Sequence, residues 1–184
     1  MKLQWSQVID FVKKLRKQLH QNPELAWKEE YTAKTIRYSL TSHNISWKKF
    51  ADTGTVAIVA PGSSGRHIAL RSDIDAIAVE EKTGLPYASQ NSKCMHACGH
   101  DGHIATLMAV AIWLKQNESK LPGPVSFIFQ PAEEGGHGAK KMIDEGCLKN
   151  IDFIYGWHNW PSIKFGQAVC PDGIVMAGNG SFHI

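Results

Sequence analysis

Between Ile45 and Trp157 the chain alternates short β-like runs with helical ones, and that order constrains the fold more than any other feature of the sequence. Three β-like runs come first, Ile45 to Phe50, Thr55 to Ala60 and His67 to Arg71. An apolar helix is predicted from about His103 to Gln116, its Ala-rich face lying on a sheet. Val125 to Phe129 then reads as a buried strand, Gly138 to Glu145 as a helix and Phe153 to Trp157 as another strand. Strand, helix and strand in this order predict an α/β fold, a layered mixed and mainly parallel sheet flanked by helices. Pro61-Gly62-Ser63-Ser64-Gly65, between the second and third β-like runs, suits a hairpin or a tight loop. Ahead of the sheet, Val8, Phe11, Val12, Leu15 and Leu19 recur at helical spacing, with Ser6 available as a cap and Asn22-Pro23 as a stop. A second helix is expected from about Glu29 to Leu40.

Composition excludes several classes. With 43% hydrophobic and 20% charged residues over 184 positions, the chain can bury a full core, so disorder is not expected. The net charge of +3 is scattered, with no block of like charges to suit a nucleic acid or an anionic membrane. The longest largely apolar stretch, Leu107 to Leu114, is too short to span a bilayer, and Met1 to Lys17 has no continuous apolar segment. A cytoplasmic location is the expectation. Cys94, Cys98, Cys147 and Cys170 are too few and too irregular for a secreted disulfide scaffold, so they read as thiols.

The densest chemistry lies in Met95-His96-Ala97-Cys98-Gly99-His100-Asp101-Gly102-His103, a thiol, several imidazoles and a carboxylate within nine residues. Thiolate and imidazole together suit zinc or a similar borderline ion, and Gly99 lets the backbone turn so that Cys98 and His100 point the same way. A solvated loop capped by Asp101 is the plain alternative. In Gln130-Pro131-Ala132-Glu133-Glu134-Gly135-Gly136, two carboxylates follow a buried strand, where ligands of α/β sheets gather. Such a pair divides labour readily, one carboxylate binding metal and the other taking a proton, although a surface pair looks the same in sequence. His158 in Gly156-Trp157-His158-Asn159-Trp160-Pro161 ends another expected strand. In Arg71-Ser72-Asp73-Ile74-Asp75-Ala76 an Asp can orient a ligand imidazole through its second ring nitrogen, or simply cap a turn.

Taken together, and with the opening Leu15-Arg16 to Leu19-His20-Gln21-Asn22-Pro23-Glu24-Leu25, these segments resemble the M20 metallopeptidase family. The resemblance is to its aminoacylase-like branch of hippurate and auxin-conjugate hydrolases, and it spans nearly the whole chain in order. It implies two divalent metal ions, zinc or manganese first and nickel or cobalt next, with Cys98 shared between them and His100, Glu134 and His158 binding one ion or the other. It makes Glu133 the general base that takes a proton from water and returns it to the leaving nitrogen. Asp75 matches the position that steadies the centre, and Asp101 is suited to similar work. The implied reaction is hydrolysis of the amide bond of a small N-acyl amino acid or amino-acid conjugate.

The family's Leu-Pro after the Asp-Ala pair is replaced here by Ile77-Ala78, a change expected to alter a loop. Family members are about twice as long. The resemblance therefore implies that residues 1–177 are the N-terminal part of the catalytic domain. It makes 178–184 the start of a connection into a lid and dimerisation domain, through which the parent would form a homodimer. A last metal-binding histidine would lie beyond that lid. Two other readings stay open: a non-catalytic metal-binding or interaction domain formed by this chain, and a thiol enzyme using Cys98 with a nearby histidine. The second leaves Glu133, Glu134 and His158 without a role.

Overall fold

A computed structural model describes residues 3–174. Helix α1 (Trp5–Gln21) is amphipathic as the spacing predicts, with Val8, Val12, Leu15 and Leu19 buried. Ser6 lies inside its first turn instead of capping it. The entry is closed by the Gln7 side chain, whose Oε1 accepts from the Gln4 N–H at 2.8 Å. Asn22 donates its side-chain amide to the Gln18 carbonyl at 2.9 Å and ends the helix before Pro23. Helix α2 (Glu30–Ser42) buries Ile36 and Leu40.

Among the described residues the sheet has five strands: β1 (Ser46–Phe50), β2 (Gly54–Val59), β3 (Ile68–Asp73), β4 (Val125–Gln130) and β5 (Phe153–Gly156), in the order β1-β2-β4-β3-β5. β1 with β2 and β2 with β4 are antiparallel; β3 is parallel to both β4 and β5. The hairpin therefore joins β1 to β2, through a turn in which Ala51 and Asp52 take positive φ values of 44° and 60°. Pro61 to Gly65 is a tight connection and not a hairpin, because β4 inserts between β2 and β3. The Gly65 N–H bonds to the Pro122 carbonyl at 2.8 Å, so this connection lies beside the segment that enters β4.

Helices α3 (His100–Gln116) and α4 (Gly138–Asp144) complete the layers. Alternation along β4 sends Phe127 and Phe129 into the core shared with α1, α2 and α3, while Ile128 turns to the opposite face with Ala69, Met142 and Cys147. Complete burial of each phenylalanine contributes about 1.5–3 kcal/mol. β5 forms one edge of the sheet, with Phe153, Ile154 and Tyr155 at 42%, 48% and 57% exposure, so it gives the core no fully buried side chain. No helix among the described residues is long and apolar enough to cross a membrane. The expected boundary between residues 177 and 178 falls outside the described residues.

Candidate metal centre

Because β3, β4 and β5 run parallel, their carboxyl ends share one edge of the sheet, and the polar segments after them meet there. Asp73 ends β3 and Gln130 ends β4, while Trp157-His158-Asn159 follows β5 directly. α3 starts at the same place: Gly99 precedes it with φ 87°, a left-handed conformation open to glycine, and this turn carries Cys98 and His100 into one space.

Ligand atoms of Cys98, His100 and Glu134 all lie within 4.8 Å of one another. His158 joins them through its Nε2, 3.4 Å from the Cys98 sulfur. All four residues singled out as metal ligands in the sequence are thus brought together. Glu133 borders the group, its Oε2 3.9 Å from His100 Nε2. Asp75 lies against His100, with its Oδ1 3.5 Å from His100 Nδ1. The backbone carbonyl of Asp75 accepts from His100 Nδ1 at 2.8 Å, and its carboxylate accepts from the Glu134 N–H at 2.9 Å. One carboxylate oxygen thus holds the Glu134 backbone, while the other and the carbonyl oxygen both face the His100 Nδ1. His43 and His67 lie apart from this group and bond to the Ser39 carbonyl and the Ser126 hydroxyl.

His100 is the most informative member. Its side chain is 1% exposed, and with Nδ1 committed to a carbonyl, Nε2 is the nitrogen left to face the site. That nitrogen has no hydrogen-bond partner among the described residues, yet faces Asp73, Glu134 and Glu133 carboxylates at 3.6, 3.8 and 3.9 Å. Burial, then the neighbouring Glu134, pushes the Cys98 thiol up to about 12, and burial followed by Glu134 raises the Glu133 carboxyl. Concentrated carboxylates, an unpartnered imidazole nitrogen and a thiol disfavoured as thiolate form a costly arrangement that a divalent cation offsets. The donor set of sulfur, imidazole and carboxylate suits zinc and its neighbours, so these residues fit a metal.

Other residues belong to the neighbourhood although no ligand motif pointed to them. His103 Nδ1 donates to the Asp73 carboxylate at 2.6 Å, and Arg71 donates to the other Asp73 oxygen at 2.9 Å. Burial raises the Asp73 carboxyl, but His103, His100 and Arg71 more than reverse this and hold it at about 2. His103 Nε2 meets Asn159, whose N–H lies 3.2 Å away and whose side-chain amide also contacts it. Ligand atoms of Asp73, His100, His103 and His158 form a second convergent group. The signal for His103 is its spacing three residues after His100, which puts both on one face of α3. Asn159 gave no such signal: its side chain fills the space left by the missing Cβ of Gly99. Behind the centre, buried Asp101 accepts from His20 Nδ1 at 2.8 Å and from Arg16 Nε at 2.7 Å, tying α1 to the start of α3.

His96 provides a pH test. It is buried, neither ring nitrogen has a partner among the described residues, and burial pushes its pKa down to about 4. Between pH 6.5 and about 4 the unfolded chain therefore binds a proton that the folded chain does not, so this contribution is lost as pH falls. His20 works in the opposite sense. Its pKa is raised by the bond to Asp101, so its contribution is full below pH 6.5 and lost as pH rises through the folded value. In chelator-treated protein, the melting temperature of wild type is expected to fall faster than that of His96→Leu from pH 6.5 to 4. The difference amounts to at most about 1.4 kcal/mol per pH unit; parallel curves would show that His96 titrates normally.

Comparison with known proteins places this geometry among relatives. The family model described as Peptidase family M20/M25/M40 matches residues 69–174. An N-acetyl-L-cysteine deacetylase of Bacillus subtilis (strain 168) is 46% identical over 171 residues, 92% of this chain and 41% of that protein. A hippurate hydrolase of Campylobacter jejuni is 38% identical over 174 residues, 93% of this chain and 45% of that one. Among solved structures, the YXEP protein of Bacillus subtilis, a dinuclear metal binding peptidase from the M20 family, superposes with a TM-score of 0.82. It shares 40% identity over 85% of this chain and 45% of its own. The chain thus spans less than half the length of these relatives.

Proposed function

The chain belongs to peptidase family M20/M25/M40, and from that premise we propose that it carries the metal-binding part of a hydrolase of amide bonds in N-acyl amino acids or amino-acid conjugates. In this reading Cys98, His100, Glu134 and His158 would hold two divalent ions. Residues 1–177 are the N-terminal part of the catalytic domain. The observation that carries the reading is the buried, unpartnered Nε2 of His100 facing three carboxylates beside the Cys98 sulfur. The substrate class rests on the relatives named as a deacetylase and a hippurate hydrolase.

A bound divalent ion supplies Lewis acidity, polarising a carbonyl oxygen and acidifying water. The residues do the rest. His100 is fixed by the Asp75 carbonyl, which takes up Nδ1 and aims Nε2 inward. Asp75 also holds the Glu134 backbone through its carboxylate. Glu133, whose carboxyl is raised by burial and by Glu134, takes the proton from the attacking water and delivers it to the departing nitrogen. Cysteine ligation favours zinc on softness, and the carboxylates keep manganese in contention.

The test is metal content by plasma mass spectrometry on the native chain and on Cys98→Ala, with hydrolysis of N-acetyl and N-benzoyl amino acids. Bound zinc or manganese that disappears in Cys98→Ala, with turnover abolished by a chelator, is the expected result. Metal bound through Cys98 without turnover would favour a non-catalytic metal-binding domain. A native chain that takes up neither zinc nor manganese on loading would sink the reading.

A further inference from the structure

The segment that presents Glu133 and Glu134 is held from outside, by residues with no place in the chemistry so far. We propose that Glu29 and Trp27 clamp the loop from Pro131 to His137, and that Glu29 is a positioning residue for its two carboxylates. The inference rests on the proposed metal centre.

Glu29 lies just before α2, with no exposed surface. Its Oε1 accepts from the Ala132 N–H at 2.8 Å, and its Oε2 accepts from the Thr53 hydroxyl at 2.8 Å. Two residues earlier, the Trp27 indole N–H donates to the Gly136 carbonyl at 3.0 Å. These bonds grip the loop on either side of Glu133 and Glu134, while Asp75 holds the Glu134 N–H between them at 2.9 Å.

The loop does not keep this path by local preference. Ala132 has φ 50°, a left-handed conformation that an alanine adopts only under constraint, and Trp27 has φ 66°. Ala132 is fully buried, so without Glu29 its N–H would have no water to turn to. Contacts are tight as well: a Cβ on Gly136 would lie 2.6 Å from the Ala132 Cβ and 2.8 Å from the Trp27 indole nitrogen. Burial raises the Glu29 carboxyl, so a side chain of this polarity is expensive as a mere packing element. Its two accepted bonds give it a reason to be there. They fix a strained backbone one residue before Glu133.

Glutamine at 29 can still accept from the Ala132 N–H and donate to the Thr53 oxygen, whereas alanine can do neither. The experiment therefore compares wild type, Glu29→Gln, Glu29→Ala and Leu40→Ala, the last removing a fully buried core side chain elsewhere in α2. Amide hydrogen exchange of the 130–138 region is followed in metal-free protein, and Co(II) affinity is read from the Cys98 thiolate charge-transfer band. Glu29→Ala is expected to speed exchange at Ala132 about tenfold and to weaken Co(II) binding by about 10–100-fold. Glu29→Gln should stay within about threefold of wild type on both readouts. Leu40→Ala should lower the melting temperature and leave both unchanged. The clamp is overturned if Glu29→Ala leaves the 130–138 region as protected as wild type, or if Leu40→Ala reproduces its effects. Should wild type bind no Co(II), the metal reading fails, and the exchange result still decides the clamp.

Discussion

Glu133→Gln is expected to lower the rate of N-acetyl amino acid hydrolysis by about 10²–10⁴-fold, the usual worth of a positioned general base, while leaving metal content at the wild-type level. Glutamine matches the shape of glutamate and cannot take a proton. Glu133 stands at the rim, 40% exposed, with its Oε2 3.9 Å from His100 Nε2. Its neighbour Glu134 is tied to the centre through Asp75 and converges with Cys98 and His100. The two adjacent carboxylates should therefore separate in a paired measurement of kcat/KM and metal stoichiometry. Glu134→Gln should lose metal first, and turnover with it. If Glu133→Gln loses metal as readily as Glu134→Gln, the division of roles between them is wrong.

Gly99→Ala is expected to cost about 2–4 kcal/mol and to weaken metal binding in the same stroke. A left-handed φ of 87° costs alanine about 1 kcal/mol. Its Cβ would also meet the Asn159 side chain at 2.6 Å from Oδ1, an overpacking that adds about 1–3 kcal/mol. In a chain of this size the sum lowers the melting temperature by roughly 5–15 °C. Asn159 cannot yield freely, since it also contacts His103, and the displaced side chain adjoins His158. Calorimetry of Gly99→Ala and of the double variant Gly99→Ala/Asn159→Gly separates the causes: the second change should recover the steric share and leave the backbone share. An unchanged melting temperature in Gly99→Ala would mean that the turn before α3 differs from the one described.

Much of this was legible in the sequence, for definite reasons. Val125 to Phe129 is an apolar run of strand length, and parallel pairing puts whatever follows it on the ligand-binding edge, so Glu133 and Glu134 could be placed before any coordinates. Cys98 and His100 were betrayed by local density. The Pro61 to Gly65 connection was ambiguous because its turn residues serve a hairpin and a tight crossover equally well. The difference lies in β4, more than 50 residues later, which inserts between the strands it joins. The Asp in the Arg71 to Ala76 segment points to an imidazole neighbour, and Asp75 does face His100 Nδ1, but that the shorter bond comes from its backbone carbonyl is not written in a sequence. Glu29 and His20 carry no signal of burial in their own segments, and Asp101, suited to steadying the centre, gives no sign that it does so from behind through His20 and Arg16. Their burial comes from packing against distant parts of the chain, which periodicity does not record.

The order of the strands also bears on how the centre comes into being. β5 is the last strand among the described residues, and it docks beside β3, which precedes it by some eighty residues. Cys98 and His158, which meet at 3.4 Å, are 60 positions apart. Contacts of such long range form late, after the closure of large loops has been offset by other contacts. During synthesis the chain can complete α1, α2 and the β1–β2 hairpin long before the residues after β5 leave the ribosome. Cys98 spends that interval without the His158 imidazole beside it, so the two meet only after β5 has been made and has docked on β3.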